Sequence, residues 1–589
     1  MKILFAFLSL LVSQRQCLAN PTQQGPIIDL GYARYQGVFN PTTNVTDFIG
    51  VRFAAPPTGQ LRWQAPQPPT PTPGVQIANV QIPQCIQAPS FGILPTSAPI
   101  PSSSHSKRQT PTAASEDCLF LHRLVSDSDQ AYLQCAFSGK YRTEEKVACG
   151  RVDPWWRANE DANRYILGDA IGFNGADLIK ESNNGVVAVF IQYRLGLFGF
   201  LAGEKVKQGG VLNAGLCELS NMLFMALFVL IAFSSGPELC TSLGTRTRAF
   251  GPPLSPIPRL IIEQISEFGG DPAQVTIWGE SAGAGSVLQH VIAEDGRTKP
   301  QLFRGAMTSS TFLPSQYKFN DPVPESLYKQ VVSATNCTSS RDTLACLRSK
   351  DISVLDKANQ DINKNGFFGT FVFVPVVDGT FITQRATEAL KKGRINGKAL
   401  LAVTNTDEGS PFVNQTAPAD ATRYTASLFP RLGPKEVATV AKLYADVGSP
   451  LAQVNQIMTD SIFVCPTYYL LDAFKNRSFK GEFAIPPASH GQDVAYYFPT
   501  LGAPISFNNT AFLNAFAQSF MSFVISQDPN AKVDFTNITP RWRLYNQGQA
   551  EMMFNKTANN LPDVREVKTS QELVERCRFW ESVGSLTGQ

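Results

Sequence analysis

Unbroken apolar runs punctuate this chain. Val186-Val187-Ala188-Val189-Phe190-Ile191 leads into Gln192-Tyr193-Arg194, and Ala399-Leu400-Leu401-Ala402-Val403 leads into Thr404-Asn405-Thr406-Asp407-Glu408-Gly409. Short continuous apolar runs without alternation predict strands buried on both faces, as in a parallel sheet covered by helices. Val275-Thr276-Ile277-Trp278 predicts a further short strand, fed by the turn Phe268-Gly269-Gly270-Asp271-Pro272. Ala284-Gly285-Ser286-Val287-Leu288 follows closely and can open a helix. One run departs from the pattern. Met222 to Phe233 is apolar throughout, lacks an amphipathic period, and is too short to cross a membrane.

Between the third strand and its helix lies Gly279-Glu280-Ser281-Ala282-Gly283. This fits the G-x-S-x-G nucleophile elbow, in which a serine stands on a sharp strand-to-helix turn and small neighbours let the helix pass close by. Ser281 is the candidate nucleophile. The helix N-terminus favours developing negative charge, and the amide of Ala282 is placed to donate to an oxyanion. The competing reading is a Gly/Ser loop before a helix; the strand on one side and the helix on the other favour the elbow.

The chain has 589 residues, of which 43% are hydrophobic and 17% charged, enough for one very large α/β domain or for several smaller ones. A net charge of +3 with no basic stripe gives no reason to expect a nucleic-acid partner. Lys2, the apolar run Ile3 to Val12 and Cys17-Leu18-Ala19 predict a signal peptide over residues 1–19, with residues 20–589 as the mature chain. Candidate glycosylation sequons at Asn44, Asn336, Asn414, Asn476, Asn508, Asn537 and Asn555 agree with export to the extracellular space. Export makes disulfides the default use of cysteine. Cys85 and Cys118 flank a Pro/Ser-rich stretch and Cys337 and Cys346 lie close together, so both pairs look like staples on loops. Cys465 and Cys577 are left unassigned, as a pair that could form. Four histidines and no paired C-x-x-C spacing argue against a zinc site.

Taken with Arg52 to Trp63 and Glu116-Asp117-Cys118-Leu119-Phe120-Leu121, these segments resemble the type-B carboxylesterase/lipase family, the cholinesterase-like branch of the α/β-hydrolases. The resemblance covers about residues 25–121, 165–216 and 263–580, and the short disulfide loops look like those of its secreted fungal lipases and esterases. It implies a single α/β-hydrolase domain with a large, mostly parallel central sheet flanked by helices, acting on ester or lipid substrates without metal or organic cofactor. A lipid interface is a further candidate contact. Ser281 matches the family's nucleophile, Glu408 in TNTDEG its acid, and His490 in ASHGQD its base. The chemistry needs all three: a hydroxyl is a weak nucleophile until an imidazole takes its proton, and the imidazole needs a carboxylate to fix its tautomer. Among the other histidines, His105 lies in the Pro/Ser loop, His122 near a doubtful region, and His290 nine residues into the elbow helix. Asp407 adjoins Glu408 and competes with it. Glu280 also matches a family position, as a buried structural acid. The resemblance also implies that the loop from Ile86 to Asp117 carries a flap; a disordered surface loop is the alternative for Ser102 to Thr112.

Two stretches break the pattern. Over residues 123–164 the family has a buried strand and then His-Gly-Gly-Gly, whose amides complete the oxyanion hole. Here the chain reads Ala148-Cys149-Gly150-Arg151-Val152-Asp153-Pro154-Trp155-Trp156-Arg157-Ala158. Back-translated and shifted by one base, this stretch can read Pro-Val-Val-Val-Trp-Ile-His-Gly-Gly-Gly, and family-like sequence resumes at Tyr165. A shifted reading frame explains the gap, and Gly139-Lys140-Tyr141 can encode a splice-donor-like start. Over 217–262 an expected amphipathic helix is replaced by the apolar run, and Cys217-Glu218-Leu219 can again encode a splice donor. A translated intron accounts for it; a membrane-binding hairpin is the alternative. Residues 123–164 are therefore expected to be irregular, exposed and displaced from the sheet, and the run 222–233 to have no settled partner. A non-catalytic binding protein remains the rival to an esterase, because the glycine motif is missing.

Overall fold

The computed structural model of the chain describes residues 24–88, 114–126, 165–166, 170, 173–222, 229–232, 265–501 and 505–589. The signal segment with Cys17, most of the Pro/Ser loop with His105, residues 127–164 and most of 223–262 lie outside these.

Thirteen strands form one sheet: β1 (Gln24–Asp29), β2 (Arg34–Asn40), β3 (Val45–Arg52), β4 (Val75–Ile77), β5 (Phe120–Ser126), β6 (Val186–Ile191), β7 (Val229–Ala232), β8 (Val275–Glu280), β9 (Gly305–Ser309), β10 (Ala399–Asn405), β11 (Ser478–Phe483), β12 (Ala550–Lys556) and β13 (Pro562–Lys568). Apart from β4, which pairs with β2, they lie side by side in chain order. The expected parallel sheet is present as the run β8 to β12. Antiparallel pairs extend it on both sides. All three apolar runs predicted as strands are strands, and every residue of β6 and β10 is buried. Such burial needs cover on both faces. Helices supply it, including α1 (Ala214–Met222), α2 (Ala282–Gly296), α3 (Cys465–Phe474) and α4 (Thr510–Ser526).

Two expectations are corrected. Arg123–Ser126 is not displaced from the sheet: these residues complete β5, are buried, and pair with β3 and β6. Arg123 is accommodated by its guanidinium lying over the Phe268 ring, 3.2 Å from the centroid. Residues 229–232 of the apolar run are not without a partner either. As β7 they pair antiparallel with both β6 and β8. The slot lies between two neighbours, β6 and β8, that run parallel to each other. A four-residue apolar segment fills it because unpaired strand edges inside a sheet cost more than a reversed direction. The start of the second anomalous stretch is regular too. Cys217 and Glu218 belong to α1, and Glu218 is buried against Arg194, accepting from its backbone N–H at 2.8 Å. Burial pushes the Cys217 thiol up to about 12. Among the described residues no helix is long and apolar enough to cross a membrane.

Among the described residues three disulfides staple the fold: Cys85–Cys118, Cys337–Cys346 and Cys465–Cys577. The third joins the two cysteines left unassigned, and it ties α3 to the helix Gln571–Ser582.

Candidate active site

β8 ends at Glu280 and α2 begins at Ala282, so Ser281 alone makes the turn. Its backbone is strained, at φ 57° and ψ −122°, a region that L residues adopt only where the surroundings over-determine it. Those surroundings are visible. The Ser281 N–H donates to Ser309 O at the end of β9, at 2.9 Å. A Cβ on Gly279 would lie 2.3 Å from the carbonyl carbon of Gly283, and one on Gly285 2.3 Å from Phe312 O. Gly279 is thus forced by close passage of the helix over its own strand, and Gly285, further along the helix, by the segment that follows β9.

Glu408 follows β10 and His490 follows β11, two adjacent parallel strands separated from β8 by β9. Their loops are tied together by a bridge between Asp407 and Ser489, with the Asp407 N–H donating to Ala488 O at 2.9 Å. Three residues far apart in the chain therefore meet above the ends of β8, β10 and β11. His490 Nε2 lies 2.8 Å from Ser281 Oγ, and His490 Nδ1 lies 2.6 Å from Glu408 Oε2. The other Glu408 oxygen accepts from Asn405 N–H at 2.6 Å, and the side chain is fully buried. Asp407 faces elsewhere: its carboxylate caps the following turn, accepting from the N–H and hydroxyl of Ser410. Geometry therefore selects Glu408 from the adjacent pair. Gly409 next to it is equally constrained, since a Cβ there would meet Asn455 O at 2.1 Å.

Glu280 stands closer to the chemistry than a purely structural acid, with Oε1 3.2 Å from His490 Nε2. Sequence reasoning missed three other neighbours. Asp493 is fully buried behind the histidine and accepts from Asn405 Nδ2 at 2.9 Å. Burial raises its carboxyl to about 6. Phe412 and Phe463 pack on the imidazole, with ring centroids 4.9 Å and 4.6 Å away. Asp493 lies in the same HGQD run as the histidine and could have been found there; Phe463 carried no local signal. The Ala282 N–H belongs to the first turn of α2, so it has no intrahelical partner and is available to an oxyanion.

The other histidines are remote in role. His290 is buried in α2 with Nδ1 2.8 Å from Ser286 O, and burial lowers it to about 4. His122 sits within β5, 3.6 Å from Asp47. Among the candidate sequons, Asn44, Asn336, Asn476 and Asn508 are exposed, while Asn414 and Asn555 are partly so. Asn537 is a correction: it is buried, accepts from Thr539 N–H at 2.8 Å and donates to Asn514 O, which leaves no room for a glycan.

A cavity of about 270 Å³ is lined by Phe200, Phe312, Phe371, Phe373, Val376 and Ile462 among others, with no charged side chain in its wall; its Phe312 ring packs on Phe463, centroids 5.6 Å apart, so Phe463 stands between this wall and His490. A 150 Å³ apolar cavity holds a benzene, so this one takes a larger hydrocarbon group.

A serine on a strained elbow, a histidine and a buried carboxylate arranged on parallel strands in the order Ser, acid, His define an α/β-hydrolase. The sequence profile of the Carboxylesterase family matches residues 24–223 and 259–580, and this chain belongs to that family. Only 224–258 interrupts the match. The chain is 24% identical to carboxylesterase patB of Penicillium expansum, over 95% of this chain and 96% of that one. It is 28% identical to secreted lipase 1 of Botryotinia fuckeliana (strain B05.10), over 67% and 62% respectively. The crystal structure of Aspergillus niger EstA superposes with a TM-score of 0.73 at 25% identity, covering 96% of this chain and 99% of that one. These relatives are carboxylic ester hydrolases.

Proposed function

We propose that the chain is a secreted serine esterase or lipase that cleaves carboxylic esters through an acyl-enzyme. The observation that carries this reading is the continuous hydrogen-bonded line Ser281–His490–Glu408. Ser281 Oγ attacks the ester carbonyl while its proton passes to His490 Nε2. Glu408 holds the imidazole by Nδ1 and stabilises the cation. The Ala282 N–H faces the oxyanion. The imidazolium returns its proton to the leaving alkoxide, and water then repeats the sequence in reverse. The uncharged cavity supports esters of apolar acids. Export is supported by the N-terminal pattern, by three disulfides and by the likeness to secreted lipases.

An organophosphonate ester tests the nucleophile. It should label the protein once, at Ser281, and Ser281→Ala should remain unlabelled and lose hydrolysis of p-nitrophenyl butyrate. Labelling elsewhere, or a variant that keeps its rate, removes Ser281 from the reading.

One observation favours a second reading, an impaired enzyme. The slot between β6 and β8 holds a reversed strand, and the sequence contains no His-Gly-Gly-Gly to supply further amides to the oxyanion. Each missing donor costs about 3 kcal/mol in the transition state. Single labelling at Ser281 combined with very slow turnover would single out this reading.

A further inference from the structure

The end of the sheet opposite Ser281, Glu408 and His490 carries charge of one sign. A turn returns from a helix before each of the parallel strands β9, β10 and β11. A basic residue stands immediately before the strand in every case: Arg304, Lys398 and Arg477. Their backbones are neighbours. Arg304 O accepts from Lys398 N–H at 2.7 Å, and Arg477 O accepts from Leu400 N–H at 2.9 Å. Adjacent strands lie about 4.8 Å apart, so the three cations follow one another along the sheet edge as a row.

The turns extend the row. Arg297 and Lys299 precede Arg304; Lys391, Lys392 and Arg394 precede Lys398; Lys475 precedes Arg477. Arg304 and Arg394 are partly exposed and the others exposed. The acids beside them are fewer and mostly engaged. Asp295 lies 3.7 Å from Arg297 and 3.4 Å from Arg394, Glu388 3.9 Å from Lys392, and Glu581 4.0 Å from Lys391. Glu294 and Asp472 are the other acids at these helix ends. Among the described residues no carboxylate pairs with Lys299, Lys398, Lys475 or Arg477. The whole chain holds 51 basic residues against 48 acidic ones, so the excess belongs to this end and not to the composition. No run of the sequence shows it, because the sheet assembles it from three separate turns.

Three features choose the partner. β10 has seven residues, so at about 3.3 Å per residue the row stands about 20 Å from the catalytic end, and an anion held there does not reach Ser281. No exposed large apolar side chain stands among these cations. Nothing there inserts into a bilayer, and no aromatic face is offered to a nucleobase. The row is linear, and its guanidinium forks suit carboxylates held by paired hydrogen bonds.

We propose that this end of the sheet binds a linear, carboxylate-bearing polysaccharide, which anchors the protein while the catalytic end faces away. The proposal does not depend on the reading of the triad.

The test is calorimetric titration of the full chain with polygalacturonate at low ionic strength. The wild type should bind it, lose it as salt is added, and ignore neutral dextran. Lys299→Glu, Lys398→Glu and Lys475→Glu combined should weaken binding on the order of a hundredfold, roughly fivefold for each basic residue at an anionic surface. The unfolding temperature should stay unchanged, since all three side chains are exposed. The same reversal at Lys357, Lys364 and Lys435, on other helices, changes the net charge equally and should leave binding near the wild-type value. Asn476→Gln removes the candidate sequon between Lys475 and Arg477 and should bind as the wild type does. Absence of binding by the wild type, binding only after Asn476→Gln, or equal losses in the two triple variants overturns the proposal. Equally tight binding of phosphatidylglycerol vesicles or of duplex DNA overturns the assignment to a polysaccharide.

Discussion

At the scale of single residues, the site turns on which of two adjacent acids faces the histidine. Glu408 spends one oxygen on Asn405 N–H and the other on His490, whereas Asp407 caps Ser410. Glu408→Gln keeps the shape but removes the charge that sets the tautomer, so kcat should fall by a factor of roughly 10⁴. Asp407→Asn should change kcat little and lower thermal stability slightly. A steady-state comparison of the two variants decides the assignment, and equal losses would reject it. Asp493 supports a pH prediction. Burial raises its carboxyl from 3.8 to about 6. Between those values the folded chain binds more protons than the unfolded one, so this group's contribution to stability falls as pH rises through that window. Asp177, raised to about 6 by the same cause, adds a parallel slope. Asp493→Asn should flatten the decline in unfolding temperature between pH 4 and pH 6 without abolishing it. An unchanged slope in a thermal scan series would mean that Asp493 is ionised in the fold.

At the scale of elements, β7 is the informative one. It bridges β6 and β8 in the middle of the sheet, so its backbone N–H groups face partners on both sides. Leu230 stands opposite Ala188 and Thr276. Leu230→Pro removes one ladder donor and leaves a buried acceptor unmatched, which should cost about 1–3 kcal/mol in denaturant unfolding. A neutral substitution would show that residues 229–232 do not belong to the sheet. Periodicity located the strands on either side because β6, β8 and β10 are buried on both faces and read as unbroken apolar runs. It could not locate β7. A short apolar run between family-like segments has the same pattern whether it is a buried strand, a helix or a stray insertion. β5 shows the opposite error: Arg123–Ser126 were counted with the irregular stretch, yet they are buried in the sheet, and the Phe268 ring covers the Arg123 guanidinium.

At the scale of the whole molecule, the sheet brings the ends of β8, β10 and β11 together, and the impaired-enzyme reading is tested at the segment before Tyr165. A form of the chain in which Ala148–Ala158 are read in the shifted frame, with its His-Gly-Gly-Gly, would offer a parallel strand for the slot β7 now holds. A parallel neighbour for β6 and β8 ending in a glycine turn should displace residues 229–232 and add oxyanion donors. Turnover of p-nitrophenyl butyrate should rise by roughly 10²–10³ per donor restored. Equal rates for the two forms would show that the oxyanion is held by other groups.

The elbow could be read from the sequence because its constraint is local: a serine with φ 57° needs small neighbours within a few positions, and they are there. The buried runs and the two short disulfide loops could be read for the same reason. The family likeness added Glu408 and His490, but no spacing joins positions 281, 408 and 490, and only the register of neighbouring strands sets their side chains 2.6–2.8 Å apart. Tertiary structure alone decided the Cys465–Cys577 pair, which spans 112 residues, and the burial of Asn537, whose sequon looks like any other. It also decided the wall of Phe412 and Phe463 around the imidazole and the reversed strand in the centre of the sheet. Each depends on what another segment places against it, and a chain read in one dimension does not contain that.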